Sequence, residues 1–263
     1  MKDLYLQISS MGNEKPDIVE GNDLPDFNPD DEYLQEIKSP IFYAVQKNIN
    51  IQTGQPTILD FDMQRISQRI NIVFNIRTEG NIKREDLAAP IIELSGACGR
   101  FNIADACLDT TRLYRMAHQV QPDEFTQTGE GTYRCVVHFH TLGVIPSAAK
   151  GHLNGPGILQ VALQVSTPQL DSSGAPVVDE EGNPVKNSRY IYGAINPYDE
   201  LTAAQLIEVR DGKIYLRYSK EDVNIEITTP LVIKADQIVP NDTGMGWQPH
   251  DPTNPDDDII IEI

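Results

Sequence analysis

Cysteine, tryptophan and basic charge are all scarce in this chain. Three cysteines and one tryptophan occur among its 263 residues. So low and odd a cysteine count is no disulfide framework, and crosslinks do not define the fold. Lys and Arg number 21 against 39 Asp and Glu, for a formal charge of −18 and a sequence pI near 4.5. That balance excludes nucleic acid, whose phosphates need a clustered excess of Lys and Arg. It also disfavours anionic lipid surfaces. No apolar run approaches the roughly 20 residues of a membrane-spanning helix. The opening Met1-Lys2-Asp3-Leu4-Tyr5-Leu6-Gln7-Ile8 has neither an apolar signal core nor a small-residue cleavage site. It suits a cytosolic protein, or an exported one written without its signal.

With 40% apolar and 23% charged residues the chain is neither disordered nor membrane-embedded. Its length suits one domain burying roughly 70–75% of its unfolded surface, or two sandwich-sized domains of about 130 residues each. Strict alternation of apolar and polar residues marks strands at Leu4, Leu6, Ile8, at Leu59, Phe61, Met63, and at Ile70, Ile72, Phe74, Ile76. It returns at Tyr133, Cys135, Val137, Phe139, at Leu159, Val161, Leu163, Val165, and at Val223, Ile225, Ile227, and closes on Ile259, Ile261, Ile263. One apolar face per segment is what a half-buried strand requires. Helices are expected only at Asp30–Lys38, Lys83–Ala88 and Asp199–Glu208, the last capped by Asp199. Short strands punctuated by Gly, Pro and Asn indicate an all-β sandwich or barrel.

Residues 121–131 hold turn formers and little apolar content, and they are the expected linker between an N-terminal sandwich of residues 1–125 and a C-terminal one of 126–263. Asp-x-x-Gly-x-Pro-Val occurs at Asp171 and again at Asp179, eight residues on, and reads as the tip of a long hairpin between Val165 and Tyr190. Residues 11–40 and 240–258 are Pro-rich and acidic, as surface excursions are.

Motifs that carry chemistry are few. No phosphate-binding loop, dinucleotide fingerprint or His-Glu-x-x-His zinc motif occurs, so no catalytic residue, cofactor or metal is assigned. His138 and His140 stand two apart on one strand face, either as metal ligands or as solvent-facing or packed imidazoles. Asp251 with Asp256, Asp257 and Asp258 either gathers Ca²⁺ or forms a solvated acidic loop, and it lacks the ligand spacing of a known calcium loop. Ser95-Gly96-Ala97-Cys98-Gly99 reads as a turn between strands rather than a nucleophile elbow. Cys98 and Cys107 either pair across a hairpin or stay as small buried thiols, and Cys135 fills a core. Trp247 either stacks on a sugar ring or plugs a core edge, with Tyr192, Tyr198 and Tyr215 as further stacking candidates.

The run from Met63 to Phe74, with Arg65 and Arg69 before an alternating strand, resembles a stretch of Bacteroidales fimbrillin-like proteins. Ile91-Ile92-Glu93-Leu94-Ser95-Gly96, Arg100-Phe101-Asn102, Phe139-His140-Thr141-Leu142-Gly143, and Trp247 followed by the isoleucine strand are similar to further features of that family. The likeness runs over about residues 40–263 and is nearer to anchor, accessory and tip subunits than to the shaft. It implies two tandem transthyretin-like β-sandwiches, export as a lipoprotein to the cell surface or outer membrane, and attachment through a lipid anchor that this chain does not carry. It implies other fimbrial subunits as partners, with host or bacterial surface receptors beyond them. Ile259, Ile261 and Ile263 then serve as the exchanged strand, or else pair within their own sandwich. Asp109-Thr110-Thr111 fits the loose O-glycosylation pattern of such bacteria. The alternative function is a carbohydrate-binding outer-membrane lipoprotein.

Overall fold

A computed structural model describes residues 4–10, 32–46, 48–51, 53–80, 82–217, 222–234, 237–241 and 245–250. The strands are β1 (Tyr5–Gln7), β2 (Phe42–Tyr43), β3 (Gln64–Arg65), β4 (Gln68–Glu79), β5 (Ile91–Asn102), β6 (Cys107–Gln119), β7 (Phe125–Gly129), β8 (Thr132–Thr141), β9 (Leu159–Pro168) and β10 (Lys186–Ile195). After a six-residue helix α1 (Tyr198–Ala203) come β11 (Ile207–Arg210), β12 (Lys213–Leu216), β13 (Val223–Lys234), β14 (Gln237–Val239) and β15 (Gln248–Pro249).

Two sheets hold most of these strands. The larger runs β11-β12-β6-β5-β9-β10-β15, with β1 also paired to β5; the smaller runs β14-β13-β4-β8-β7. The alternation read from the sequence supplies the inner faces. Ile70, Ile72, Phe74 and Ile76 of β4, with Tyr133, Cys135, Val137 and Phe139 of β8, meet Ile92 and Leu94 of β5 and the Leu159–Val165 stripe of β9 in one continuous core. Burying each such side chain contributes about 1.5–3 kcal/mol relative to exposure.

This arrangement departs from one sandwich per half. Residues 125 and 126 lie inside β7, and strands from the two halves pair as β4–β8, β4–β13 and β5–β9. The 121–131 stretch reads as a linker because β7 (Phe-Thr-Gln-Thr-Gly) buries only Phe125 and leaves its other side chains exposed, as an edge strand can.

Local differences have local causes. Of Asp30–Lys38, the described residues are extended rather than helical: Arg115 N donates to Glu32 O (2.9 Å) and Leu34 N to Arg115 O (2.8 Å). Edge pairing that also buries Tyr33 and Leu34 outweighs a short helix in isolation. Lys83–Ala88 holds one 3₁₀ turn, Arg84–Asp86, and α1 is shorter than expected, with Pro197 rather than Asp199 at its cap position. Ser95–Gly99 is no turn. It is a doubly bulged stretch of β5, with register shifts at Leu94/Ala97 and Cys98/Arg100. Gly96 sits at φ +84°, and a Cβ there would lie 2.7 Å from Gly157 N and Ile145 O, so only glycine fits this bulge.

The Asp-x-x-Gly-x-Pro-Val echo does build the tip between β9 and β10, with a third rung hidden from the motif. Val177 N donates to Gln169 O, Val185 N to Val177 O, and Gln169 N to Val185 O, each at 2.8 Å, closing a three-membered ring of backbone bonds. Leu170 faces Pro176, Val178 faces Pro184, and Lys186 faces Pro168. Pro168, Pro176 and Pro184 thus repeat at a spacing of eight. Asp171 and Asp179 each close a turn by accepting backbone N–H bonds from residues two and four ahead.

Candidate functional site

Trp247 is 1% exposed, its ring centroid 5.1 Å from that of Phe74. The cause lies in β13, an interior strand that contains Pro230, where the ladder to β4 breaks between Ile227 and Leu231. Proline has no N–H to give a central ladder, and Trp247 Nε1 donates to the carbonyl of Thr229 at 3.0 Å beside the break. The residue is a core plug with a hydrogen-bonding duty, not a platform for sugar.

Cys98 and Cys107 are free thiols, as is Cys135. The hairpin register sets Cys98 opposite Leu113 and Cys107 opposite Asn102. Cys98 and Asn102 are four residues apart along one strand, about 13 Å, well beyond the roughly 7 Å Cα limit for a bridge. Burial, with a smaller push from the Asp109 charge, raises the Cys98 thiol to about 12.

The histidine pair separates chemically. His140 is buried, with Nε2 3.0 Å from Ser67 Oγ; burial, then the Arg65 charge, hold it below the ordinary imidazole value. His138, on the same strand face, has different partners: Nδ1 is 2.7 Å from Asn71 Oδ1 and Nε2 is 3.4 Å from Glu124 Oε1. Glu124 also meets His118 Nε2 at 2.9 Å and accepts the Gln121 N–H at 2.7 Å. Burial raises the Glu124 carboxyl, but the Gln121 N–H, the His118 hydrogen bond and the charges of His118 and His138 leave it below the usual carboxylate range. Among the described residues no group of three His, Cys, Asp or Glu side chains is placed to hold a metal ion.

A second buried polar cluster crosses three adjacent strands. Tyr33 Oη donates to Glu93 Oε1 at 2.8 Å, Arg115 Nη1 lies 3.5 Å from Glu93 Oε2 and bonds Gln160 Oε1, and Gln160 Nε2 lies 3.2 Å from His250 Nε2. Beside it the rings of Tyr190 and Tyr192 stack at 6.3 Å. Tyr215 lies under the Arg210 guanidinium at 4.2 Å, and Tyr198 opens α1. The four aromatic candidates therefore do not form one platform. Asp109 accepts both the N–H and the hydroxyl of Thr111, which is exposed. Asp251, the Asp256–Asp258 run and the Ile259, Ile261, Ile263 strand lie outside the described residues.

The surface feature that sequence reading placed but misjudged is the segment from Phe42 to Met63. Its two ends are pinned: Phe42 pairs with Arg65 and Tyr43 with Gln64, Tyr43 Oη donates to Ile103 O at 2.7 Å, and Ile66 N donates to Ile41 O at 2.9 Å. Between them Leu59, Phe61 and Met63, the expected strand, enter neither sheet. Phe42, Val45, Ile49, Ile51, Ile58, Leu59, Phe61 and Met63 are all exposed, Ile58 to 85% and Ile51 to 76%. So much exposed apolar side chain on one segment makes it the candidate for an interaction surface among the described residues.

No protein-family profile matches the chain, and no curated protein matches it. Among solved structures it is similar to a "putative adhesin" from Bacteroides ovatus at 11% identity and a TM-score of 0.36, covering 89% of this chain and 73% of that one. So slight a likeness transfers neither fold nor role. No helix among the described residues is long and apolar enough to cross a membrane.

Proposed function

We propose that this protein is a structural or adhesive subunit of a cell-surface fimbria, joined to other fimbrial subunits by β-strand exchange or addition and serving in attachment. The observation that supports this reading is the exposed apolar segment of residues 42–63, rooted at both ends on an all-β sandwich. A sandwich that carries so exposed an apolar segment is suited to joining copies, since an added strand satisfies open ladder groups and buries alternate side chains. On this reading the chain has no catalytic task and needs no cofactor. It reaches the outer membrane only through a lipid anchor, and Ile259, Ile261 and Ile263 form an exchanged strand.

Burial of Trp247 removes the main support for the carbohydrate-binding alternative. The test is immunogold microscopy of source cells with antibody against this chain. Gold along or at the ends of filaments is expected; label confined to the cytoplasm overturns the proposal. Removing residues 256–263 is expected to abolish assembly while the sandwich stays folded, and unchanged assembly overturns the role of the terminal strand.

A further inference from the structure

We propose that His138, Asn71 and Asn224 form a proton-driven relay across the outer face of the smaller sheet, in which a proton on His138 Nδ1 turns both side-chain amides and so sets which group Asn224 offers at the surface. This goes beyond the assembly reading above and does not depend on it.

The register sets the three side chains abreast. Asn71 of β4 stands directly opposite His138 of β8 on one side and Asn224 of β13 on the other. All three lie on the face away from the core, since their strand neighbours Ile70 and Ile72, Val137 and Phe139, and Ile225 are buried alternately with them. Asn71 Nδ2 donates to Asn224 Oδ1 at 2.9 Å, and His138 Nδ1 lies 2.7 Å from Asn71 Oδ1. On the far side of the imidazole, Nε2 lies 3.4 Å from Glu124 Oε1. The backbone carbonyl of Glu124 is held in turn by the Val136 N–H at 2.9 Å. One line of polar side chains thus runs from the start of β7 across β8 and β4 to β13.

Hydrogen-bonding capacity makes this line two-valued. The Glu124 carboxylate only accepts, and it also takes the Gln121 N–H at 2.7 Å and faces His118 Nε2 at 2.9 Å. A bare His138 Nε2 would set a lone pair against that charge, so Nε2 keeps its hydrogen and Nδ1 is the atom that gains or loses one. With Nδ1 protonated, Asn71 shows it the amide oxygen, which leaves the Asn71 N–H for Asn224 Oδ1; this is the arrangement observed. With Nδ1 bare, Asn71 turns its N–H to the ring and its oxygen to Asn224, which turns in its own place and donates. Every group is paired in both states. A mixed state sets two lone pairs or two N–H groups face to face, which forfeits a bond at the mismatch, so the three side chains change together. Asn224 is exposed. It offers its N–H outward when His138 is charged and its carbonyl outward when His138 is neutral.

Histidine is the side chain whose charge changes between about pH 5 and pH 8. The charged and titratable groups on the elements around His138 are Glu124 and Asp123 on the turn before β7, His118 on β6, Arg134 and His140 on β8, Arg69 on β4 and Glu226 on β13. Among the described residues Glu124 is the one that an ion pair joins to His138, and it favours the charged form. His140 is engaged with Ser67 Oγ at 3.0 Å instead of the relay. Burial raises the Glu124 carboxyl, but the Gln121 N–H and His118 leave it below the usual carboxylate range. The anion facing Nε2 is therefore present throughout, and Nδ1 stays the atom that titrates.

The test follows the isotope-labelled full chain by NMR from about pH 8 to about pH 5, reading the His138 ring nitrogens and the side-chain amides of Asn71 and Asn224. The His138 signals are identified by their loss in His138→Gln. Nε2 is expected to stay protonated throughout, Nδ1 to gain its proton on acidification, and both amides to shift with that same midpoint. In Asn71→Leu, His138 is expected still to titrate while Asn224 no longer follows. In His118→Gln, both amides are expected still to follow His138. A neutral His138 that carries its proton on Nδ1, or amides that ignore its titration, overturns the proposal. So does an Asn224 that follows equally in Asn71→Leu, or an amide shift that vanishes with His118. Circular dichroism verifies folding of the variants, and if Asn71→Leu does not fold, the midpoints in the wild type and His118→Gln decide by themselves.

Discussion

Pro230 and Trp247 show how one residue creates a need that another meets seventeen positions later. Proline interrupts a central strand, and the indole N–H answers a carbonyl at the interruption. Trp247→Ala is expected to lose about 3–5 kcal/mol, the range for emptying a large core site. Trp247→Phe keeps most of the volume but leaves Thr229 O without that donor, at about 1–2 kcal/mol. Urea unfolding midpoints of the two variants check the order. Glu124 gives a pH-dependent case. Its folded carboxyl titrates below the ordinary carboxylate value, so its stabilising share is present above the unfolded value of about 4.3 and is lost as pH falls through the folded value. Glu124→Gln is therefore expected to cost on the order of 1 kcal/mol near pH 6, a difference from the wild type that shrinks as pH falls through the ordinary carboxylate range and below it. Stability measured against pH on both proteins decides it.

At the scale of elements, the tip between β9 and β10 is a self-contained piece. Its ring of backbone bonds joins Gln169, Val177 and Val185 to one another, and its side chains are nearly all exposed. Replacing residues 169–185 by an Asn-Gly turn is expected to leave the sandwich folded, because a two-residue turn suits the same antiparallel pair. A thermal melt of the shortened chain within a few degrees of the wild type is the expected result. β5 is the opposite kind of element. Its two bulges let one strand pair with β9 through Ile91–Leu94 and with β1 through Arg100–Asn102. Gly96→Ala is expected to destabilise strongly, since the new methyl meets backbone rather than a movable side chain.

Over the whole molecule, one core is shared by strands from both halves. Calorimetry is expected to give a single cooperative transition, and residues 1–125 or 126–263 expressed alone are expected not to fold, since either piece strips β4 from β8 and β13. Two separate transitions, or a folded half, would show that the halves are independent. An acidic chain of net charge −18 also repels its own copies at long range. Assembly of copies should accordingly strengthen as salt screens that repulsion.

The amino-acid sequence by itself determined the all-β class and the inner faces of β4, β8, β9 and β13, because a period of two is a local property that burial then enforces. It also placed the β9–β10 tip through its Asp and Pro spacing. Only the tertiary structure decided that the halves interleave, that β5 runs through Ser95–Gly99 instead of turning there, and that Cys98 and Cys107 stand apart. Each of these depends on pairing between distant segments, and alternation carries no record of which strand is the neighbour. Leu59, Phe61 and Met63 mark the boundary: their spacing spells a strand, but whether a strand finds an edge in its own chain is a property of the assembled sheets.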